Sequence, residues 1–231
     1  GKTALFNLLT GSRQKVANYP GVTVDRKEGQ FTTPAGRKFR VLDLPGAYSL
    51  NALSIDEEIT RDVVLGRLDD EPRPDLIVCV SDATNLKLNL RLVLEVRRLG
   101  VPMILALNMT DLAKRRGIVI DVPALARELA MPVVSTVAIQ GGGANELIRQ
   151  LETSLAESGA PAAAWLPPDV ADVSATQREV RRILAATVSQ PAVDTRLDDR
   201  IDRVVLHPVW GMLILAATLF LMFQAVFSWA S

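Results

Sequence analysis

Short apolar runs alternate with longer amphipathic stretches along the first 159 residues. Lys38–Leu42, Leu76–Ser81, Met103–Leu107 and Val133–Ser135 read as strands bounded by polar or turn-forming residues. Between and beyond them, Ser54–Leu65, Leu86–Leu99, Val122–Ala130 and Ala144–Glu157 repeat their apolar positions at three- and four-residue intervals and read as helices. Ala4–Leu9 is a further apolar, helix-forming stretch. Alternation at this spacing predicts βαβ units, and hence an α/β domain with a mostly parallel sheet. Gln30–Thr33, followed by the turn signal Pro34-Ala35-Gly36, predicts the start of an antiparallel hairpin.

The pattern changes twice after that. From Ala160 to Pro168 alanine and proline dominate, as in a linker. Ala171–Ser189 then returns to a helical period through Val173, Val180, Ile183, Leu184 and Val188. Val209–Ala230 is a run of 22 residues without a charge. A helix of that length rises about 33 Å, enough for a hydrocarbon core of ~30 Å, so a transmembrane helix is expected there. Arg196, Arg200 and Arg203 precede it and favour a cytoplasmic N-terminal side, while Gln224 is a polar side chain expected at membrane depth. The expected parts are residues 1–159, a spacer over 160–204, and a membrane approach with its helix over 205–231.

Composition narrows the chemistry. The 26 basic residues equal the 26 acidic ones, so no charge excess points to nucleic acid. Cys79 is the single cysteine and His207 the single histidine, which excludes an internal disulfide and a cysteine- or histidine-rich metal cluster within this chain. The sequence starts at Gly1 without methionine and stops at Ser231 just past the apolar run, so it reads as a fragment cut at both ends.

Five short motifs fall at strand ends or in loops, where ligands collect in open α/β sheets. Gly1-Lys2-Thr3 matches the last positions of the phosphate loop G-x-x-x-x-G-K-S/T, with Ala4–Leu9 as the helix whose N-terminus faces phosphate. Lys2 would neutralise the β- and γ-phosphates and the Thr3 hydroxyl would hold Mg²⁺. Thr23, in the aperiodic Gly21-Val22-Thr23-Val24, stands where a GTPase places its first switch, with its hydroxyl on Mg²⁺ and its amide at the γ-phosphate; taken alone it reads as a turn threonine.

Asp43-Leu44-Pro45-Gly46 ends a strand. Asp43 is placed to hold Mg²⁺ through water, and Gly46 lets a backbone amide approach the γ-phosphate. Asn108-Met109-Thr110-Asp111 fits the guanine-reading N-x-x-D pattern, although such a tetrapeptide by itself also serves as a loop or helix cap. Asp111 would accept from guanine N1–H and the exocyclic amine, donors that adenine lacks. Ser135-Thr136-Val137-Ala138 would set a backbone amide near guanine O6. Together and in this order the motifs indicate a GTP/GDP- and Mg²⁺-binding domain. Ala47 and Tyr48 follow Gly46 in place of a water-orienting glutamine, so hydrolysis is expected to be slow.

The wording around the motifs resembles the ferrous iron transport protein B family. The resemblance is carried by Gln14 through Val24, by Lys27-Glu28-Gly29 and by Asp43 through Leu50. It continues in Ser54-Ile55-Asp56-Glu57-Glu58, Asp82-Ala83-Thr84-Asn85-Leu86, Pro102 through Met109, and Arg203 through Gly211. Met109, where many GTPases have lysine, is itself similar to that family. The resemblance implies a Ras-like P-loop domain whose first strand would precede Gly1, then a helical spacer that is short here, then the first helix of a polytopic Fe²⁺ pore. It also implies a bacterial inner-membrane location with the GTP-binding domain cytoplasmic, partners in the lipid bilayer and Fe²⁺, and a homo-oligomer as one option. K⁺ enters as a cofactor through an asparagine that the family carries upstream of Gly1. A membrane-tethered regulatory or assembly GTPase without transport is the competing reading.

Overall fold

The computed structural model describes residues 1–11, 14–19, 24–47, 49–50, 54–68, 71–154, 170–189, 205, 207 and 209–229. Two compact units are present, Gly1–Ser189 and Gln190–Ser231.

In the first unit, α1 (Lys2–Thr10) leads into β1 (Gln14–Asn18), β2 (Asp25–Thr32) and β3 (Lys38–Asp43). These three strands form an antiparallel sheet in that order. The expected hairpin joins β2 to β3, with Phe31 opposite Phe39 and their rings stacked at 5.2 Å. β1 escaped the reading of periodicity, since Gln14–Asn18 has no apolar alternation and its one large apolar residue, Val16, is 64% exposed.

Then follow α2 (Ile55–Leu65), β4 (Ile77–Asp82), α3 (Leu86–Arg97), β5 (Met103–Asn108), α4 (Thr110–Arg115), β6 (Val119–Ile120), α5 (Val122–Leu129), β7 (Val133–Ser135) and α6 (Asn145–Ser154). Strands β4, β5 and β7 pair in parallel. All six residues of β5 are buried, as a strand covered on both faces requires. Leu105 and Leu107 join Leu90 and Val93 of α3 and Leu125 and Leu129 of α5 in one core. Ile104 and Ala106 join Leu5 of α1 with Leu147 and Leu151 of α6 in a second. Among the described residues the two three-stranded sheets share no ladder.

Local chemistry sets the helix ends. Ser54 accepts from the Glu57 amide at 3.3 Å, three acids fill the first turn of α2, and Gly66 ends that helix at φ 66°. Asp121 caps α5 by accepting from the Ala124 amide at 2.9 Å. The helix expected over Ala171–Ser189 is α7 (Val170–Thr187). Its last two expected residues instead form β8 (Val188–Ser189), antiparallel to β6. Val180 and Ile183 bury α7 in the core that holds α3 and α5, and Arg98 Nη2 donates to Thr176 Oγ1 at 3.0 Å.

The second unit contains α8 (Trp210–Trp229), which carries no charge. Its large side chains are exposed, among them Met212, Leu213, Phe220 and Phe223. Among the described residues no helix is long and apolar enough to cross a membrane, so the span expected over Val209–Ala230 is present as a helix but not established as a span.

Gly29 reports how α1 meets the antiparallel sheet. A Cβ built there collides with Thr10 Cγ2 and comes within 3.2 Å of Phe6 Cζ. Gly29→Ala should therefore cost about 1–3 kcal/mol through overpacking, and Thr10→Ser in the same chain should recover only part of it, because Thr10 Cβ still stands 2.7 Å from the added methyl. Denaturant melts of the three proteins check this; an unchanged midpoint for Gly29→Ala would mean that α1 does not pack on β2 there.

Candidate functional site

Four of the five motifs lie at the carboxyl ends of β3, β5 and β7 and at the N-terminus of α1. Gly1 is the N-cap of α1, its carbonyl accepting from the Leu5 amide at 3.1 Å. Lys2 Nζ lies 3.1 Å from Asp43 Oδ1 and donates to the Leu44 carbonyl. Asp43 is nearly sealed from solvent, and among the described residues its Oδ1 has this ion pair but no hydrogen-bond partner. Pro45 is held by the Thr60 hydroxyl of α2, which donates to its carbonyl at 3.0 Å. A Cβ placed on Gly46 meets nothing within 4 Å, so one side of this loop is open.

Asn108 organises the other half. It is buried at the end of β5, and its Oδ1 accepts from the Ala138 amide at 3.0 Å and the Thr136 hydroxyl at 3.4 Å. The Thr136 amide donates to the Leu107 carbonyl at 2.7 Å, and Thr110 Oγ1 donates to the Thr136 carbonyl at 3.4 Å. N-x-x-D and S-x-x-A, 24 residues apart from Asp111 to Ser135 in the chain, are thus one hydrogen-bonded unit. Met109 turns the chain at φ 61°, a left-handed conformation unusual for a non-glycine residue, and Asp111 is delivered on the first turn of α4. Past Ala138 the chain turns back through Gly143, whose amide donates to the Gln140 carbonyl at 3.0 Å. A Cβ on Gly143 would run into the Val137 carbonyl.

A cleft of about 190 Å³ joins the two halves, lined by Gly1, Lys2, Val80, Ser81, Asp82, Asn89, Asn108 and Met109. A Cβ on Gly1 would stand 3.6 Å from Asn108 Nδ2. Thr3 and Ser135 are exposed at the edges of this region, and Asp111 is half-buried. Gly21, Val22 and Thr23 lie outside the described residues, as does Tyr48; Val24 is described, its carbonyl accepting from the Tyr19 amide at 3.0 Å. Ser81, Asp82 and Asn89 were not singled out from the sequence as lining residues. Their signal was position: Ser81 and Asp82 end the parallel strand next to β5. Asp82 Oδ1 accepts from both the amide and the hydroxyl of Thr84 at 2.7 Å, turning the chain into α3.

Tyr19 was also unforeseen. It is 3% exposed, packs with Ile59 and Val63 of α2, and its hydroxyl has no hydrogen-bond partner among the described residues. Burial, reinforced by the nearby Glu71 carboxylate, pushes its phenol up to about 12. Burial likewise pushes the Cys79 thiol up to about 12, which makes it a packing residue and not a nucleophile.

The family model for ferrous iron transport protein B matches residues 1–151. This chain belongs to the ferrous iron transport protein B family. It is 46% identical over 151 residues to the Fe(2+) transporter FeoB of Escherichia coli K12, and equally so to that of Salmonella typhimurium. Each match covers 64% of this chain and 19% of the relative, so the chain spans about a fifth of the length of these relatives. Among solved structures, the cytosolic domain of L. pneumophila FeoB superposes with a TM-score of 0.69 at 29% identity. The T. maritima FeoB cytosolic domain in its GMPPNP form gives 0.68 at 28%. Both cover 82% of this chain and 95% of the other. A GDP-bound point mutant of the S. thermophilus FeoB G-domain gives 0.66 at 27%, with the same coverage. The α/β P-loop G-domain fold of this family is therefore the fold of the first unit.

Two measurements probe the site. Asn108→Ala strands the buried Ala138 amide without its acceptor, which should cost about 1–3 kcal/mol and speed hydrogen exchange at that amide. Native protection at Ala138 would show that the bridge is dispensable. For Tyr19, an unfolded tyrosine titrates near pH 10 whereas the folded one holds its proton to about 12. The corresponding stability is complete below pH 10 and is lost as the pH rises through 12. Denaturant melts across that range should show this slope in the native sequence and its reduction in Tyr19→Phe; parallel curves would contradict the shift.

Proposed function

We propose that this chain is the GTP-binding, slowly GTP-hydrolysing part of a Fe²⁺ transporter of the bacterial inner membrane. The observation that carries the reading is the Asn108 bridge. One buried carboxamide locks the N-x-x-D turn to the Ala138 amide, so two motifs far apart in the chain meet at the cleft that Gly1 and Lys2 also line. The T. maritima relative in GMPPNP form and the GDP-bound S. thermophilus relative support guanine nucleotide as the ligand.

In this reading Asp111 takes guanine N1–H and its exocyclic amine, and a backbone amide of the Ser135–Ala138 loop meets O6. Asn108, Met109 and Thr110 hold Asp111 in place, and Ser135, Thr136 and Val137 form the loop that carries Ala138. Lys2 moves from Asp43 to the β- and γ-phosphates, which carry more charge than one carboxylate. The buried Oδ1 of Asp43, with an ion pair but no hydrogen bond, suits a metal-bound water. Thr3, Thr23 and Asp43 would hold Mg²⁺, a donor set of one carboxylate and two hydroxyls that leaves positions for phosphate and water. When bound, Mg²⁺ neutralises charge on the phosphates. Gly1 shapes the end of the phosphate loop, while Gly21, Val22 and Val24 flank Thr23. Leu44 and Pro45 lead to Gly46, whose amide meets the γ-phosphate. Ala47 and Tyr48 offer no base at neutral pH, so turnover falls below the roughly 1–100 s⁻¹ of kinases.

The working division is a GTP-binding part over 1–159, a spacer over 160–204 and a membrane-directed part over 205–231. The last rests on the 22-residue uncharged run and the exposed apolar side chains of α8. Fe²⁺ is then the cargo of the remainder of the transporter, and K⁺ an accessory cation of hydrolysis.

Base recognition gives the test. Asp111→Asn should weaken GTP about 10- to 100-fold, the worth of a charge-assisted hydrogen bond, and favour xanthosine triphosphate, whose 2-oxo group suits the amide. Calorimetric titration with both nucleotides checks it; unchanged GTP affinity would remove Asp111 from the site.

A further inference from the structure

Glu95 is only 7% exposed, between Leu94 and Val96 on the apolar face of α3. A carboxylate at that depth is costly unless it is paired and hydrogen-bonded. Arg91, one turn earlier, donates from Nε to Oε1 at 2.8 Å. The Ser49 hydroxyl donates to Oε2 at 2.8 Å and the Leu50 amide donates to the same oxygen at 2.6 Å. Arg91 Nη2 also donates to Ser49 Oγ at 3.1 Å, which closes the network. Leu50 itself, 1% exposed, belongs to the core that contains Leu86, Leu90 and Leu94.

None of the five nucleotide motifs requires this acid. Its partners are the residues that leave the Asp43–Gly46 loop. On the near side, Pro45 is fixed to α2 by Thr60; on the far side, Ser49 and Leu50 are fixed to α3 by Glu95. Gly46, with open space beside it, lies between these two anchors. The same helix α3 carries α7 through the Val180 and Ile183 core and through Arg98 and Thr176.

We infer that Glu95 is a positioning residue: it holds the Gly46 amide where a γ-phosphate is met and makes α3 the route from that contact to α7. The inference rests on the GTP reading above. GDP has no group at the Gly46 position, so Glu95 should separate the two nucleotides. In the full-length protein, Glu95→Gln retains an acceptor for the Leu50 amide but loses the charge, and Ser49→Ala removes one donor while leaving the Arg91–Glu95 pair.

Titration should show GMPPNP affinity about tenfold weaker in Glu95→Gln, the loss of one charge-assisted hydrogen bond, and weakened to a smaller degree in Ser49→Ala. GDP affinity should stay within about twofold, since no contact to it is lost. Slowing of amide exchange in α7 on adding GMPPNP should appear in the native protein and fade in Glu95→Gln. Equal losses for both nucleotides, or none for either, would overturn the positioning role, and α7 exchange indifferent to Glu95 would overturn the route through α3. Native protein that binds neither nucleotide would instead overturn the GTP reading itself.

Discussion

Burial of β5 on both faces is the constraint from which the rest of the first unit follows. Leu105 and Leu107 point to one side and Ile104 and Ala106 to the other, and each set needs a helical layer to exclude water. α3, α5 and α7 supply one layer, and α1 and α6 contribute to the other. A strand sealed in this way cannot slip by one residue without exchanging its faces. Its carboxyl end is therefore a fixed point, and Asn108 stands on it. The turn over Asn108–Asp111 and the loop ending at Ala138 inherit their positions from that one residue.

The polar groups of the site follow a common pattern. Three segments about the site are tied to the scaffold by a buried or half-buried side chain whose partner is backbone. Asn108 takes the Ala138 amide, Thr60 holds the Pro45 carbonyl, and Glu95 takes the Leu50 amide. Buried backbone groups must be paired somewhere, so such ties are the way a loop can be ordered without being part of a sheet. The exception is electrostatic. Lys2 and Asp43 neutralise one another across the phosphate end of the site, an arrangement that a polyanion and a cation would compete to replace.

How much was legible in the sequence depended on whether a signal was local. The parallel strands, their helices and the hairpin were readable because a buried face imposes a period of 2 or 3.6 on the residues that make it. The short motifs stood out because phosphate, guanine and divalent-ion chemistry would demand particular side chains at strand ends. β1 was not, since an exposed edge strand is under no such demand and Val16 is its only large apolar residue. The β6–β8 pair was not either. Two residues per strand carry no period, and the neighbouring bond from the Asp121 amide to the Thr187 carbonyl is backbone to backbone, which leaves no mark on side-chain choice.

The sequence by itself determined the α/β fold class, the order of the five short motifs, and the family, all of which rest on residues close together in the chain. Only the tertiary structure decided that Asn108 joins two of those motifs, that α7 shares a core with α3, and that Tyr19 packs on α2. It alone set Glu95 beneath Ser49 and Leu50, the latter 45 residues away in the chain. A buried glutamate on an amphipathic helix looks like any solvated one until its partners are known. Those partners come from segments whose approach is fixed by packing, and no local pattern encodes it.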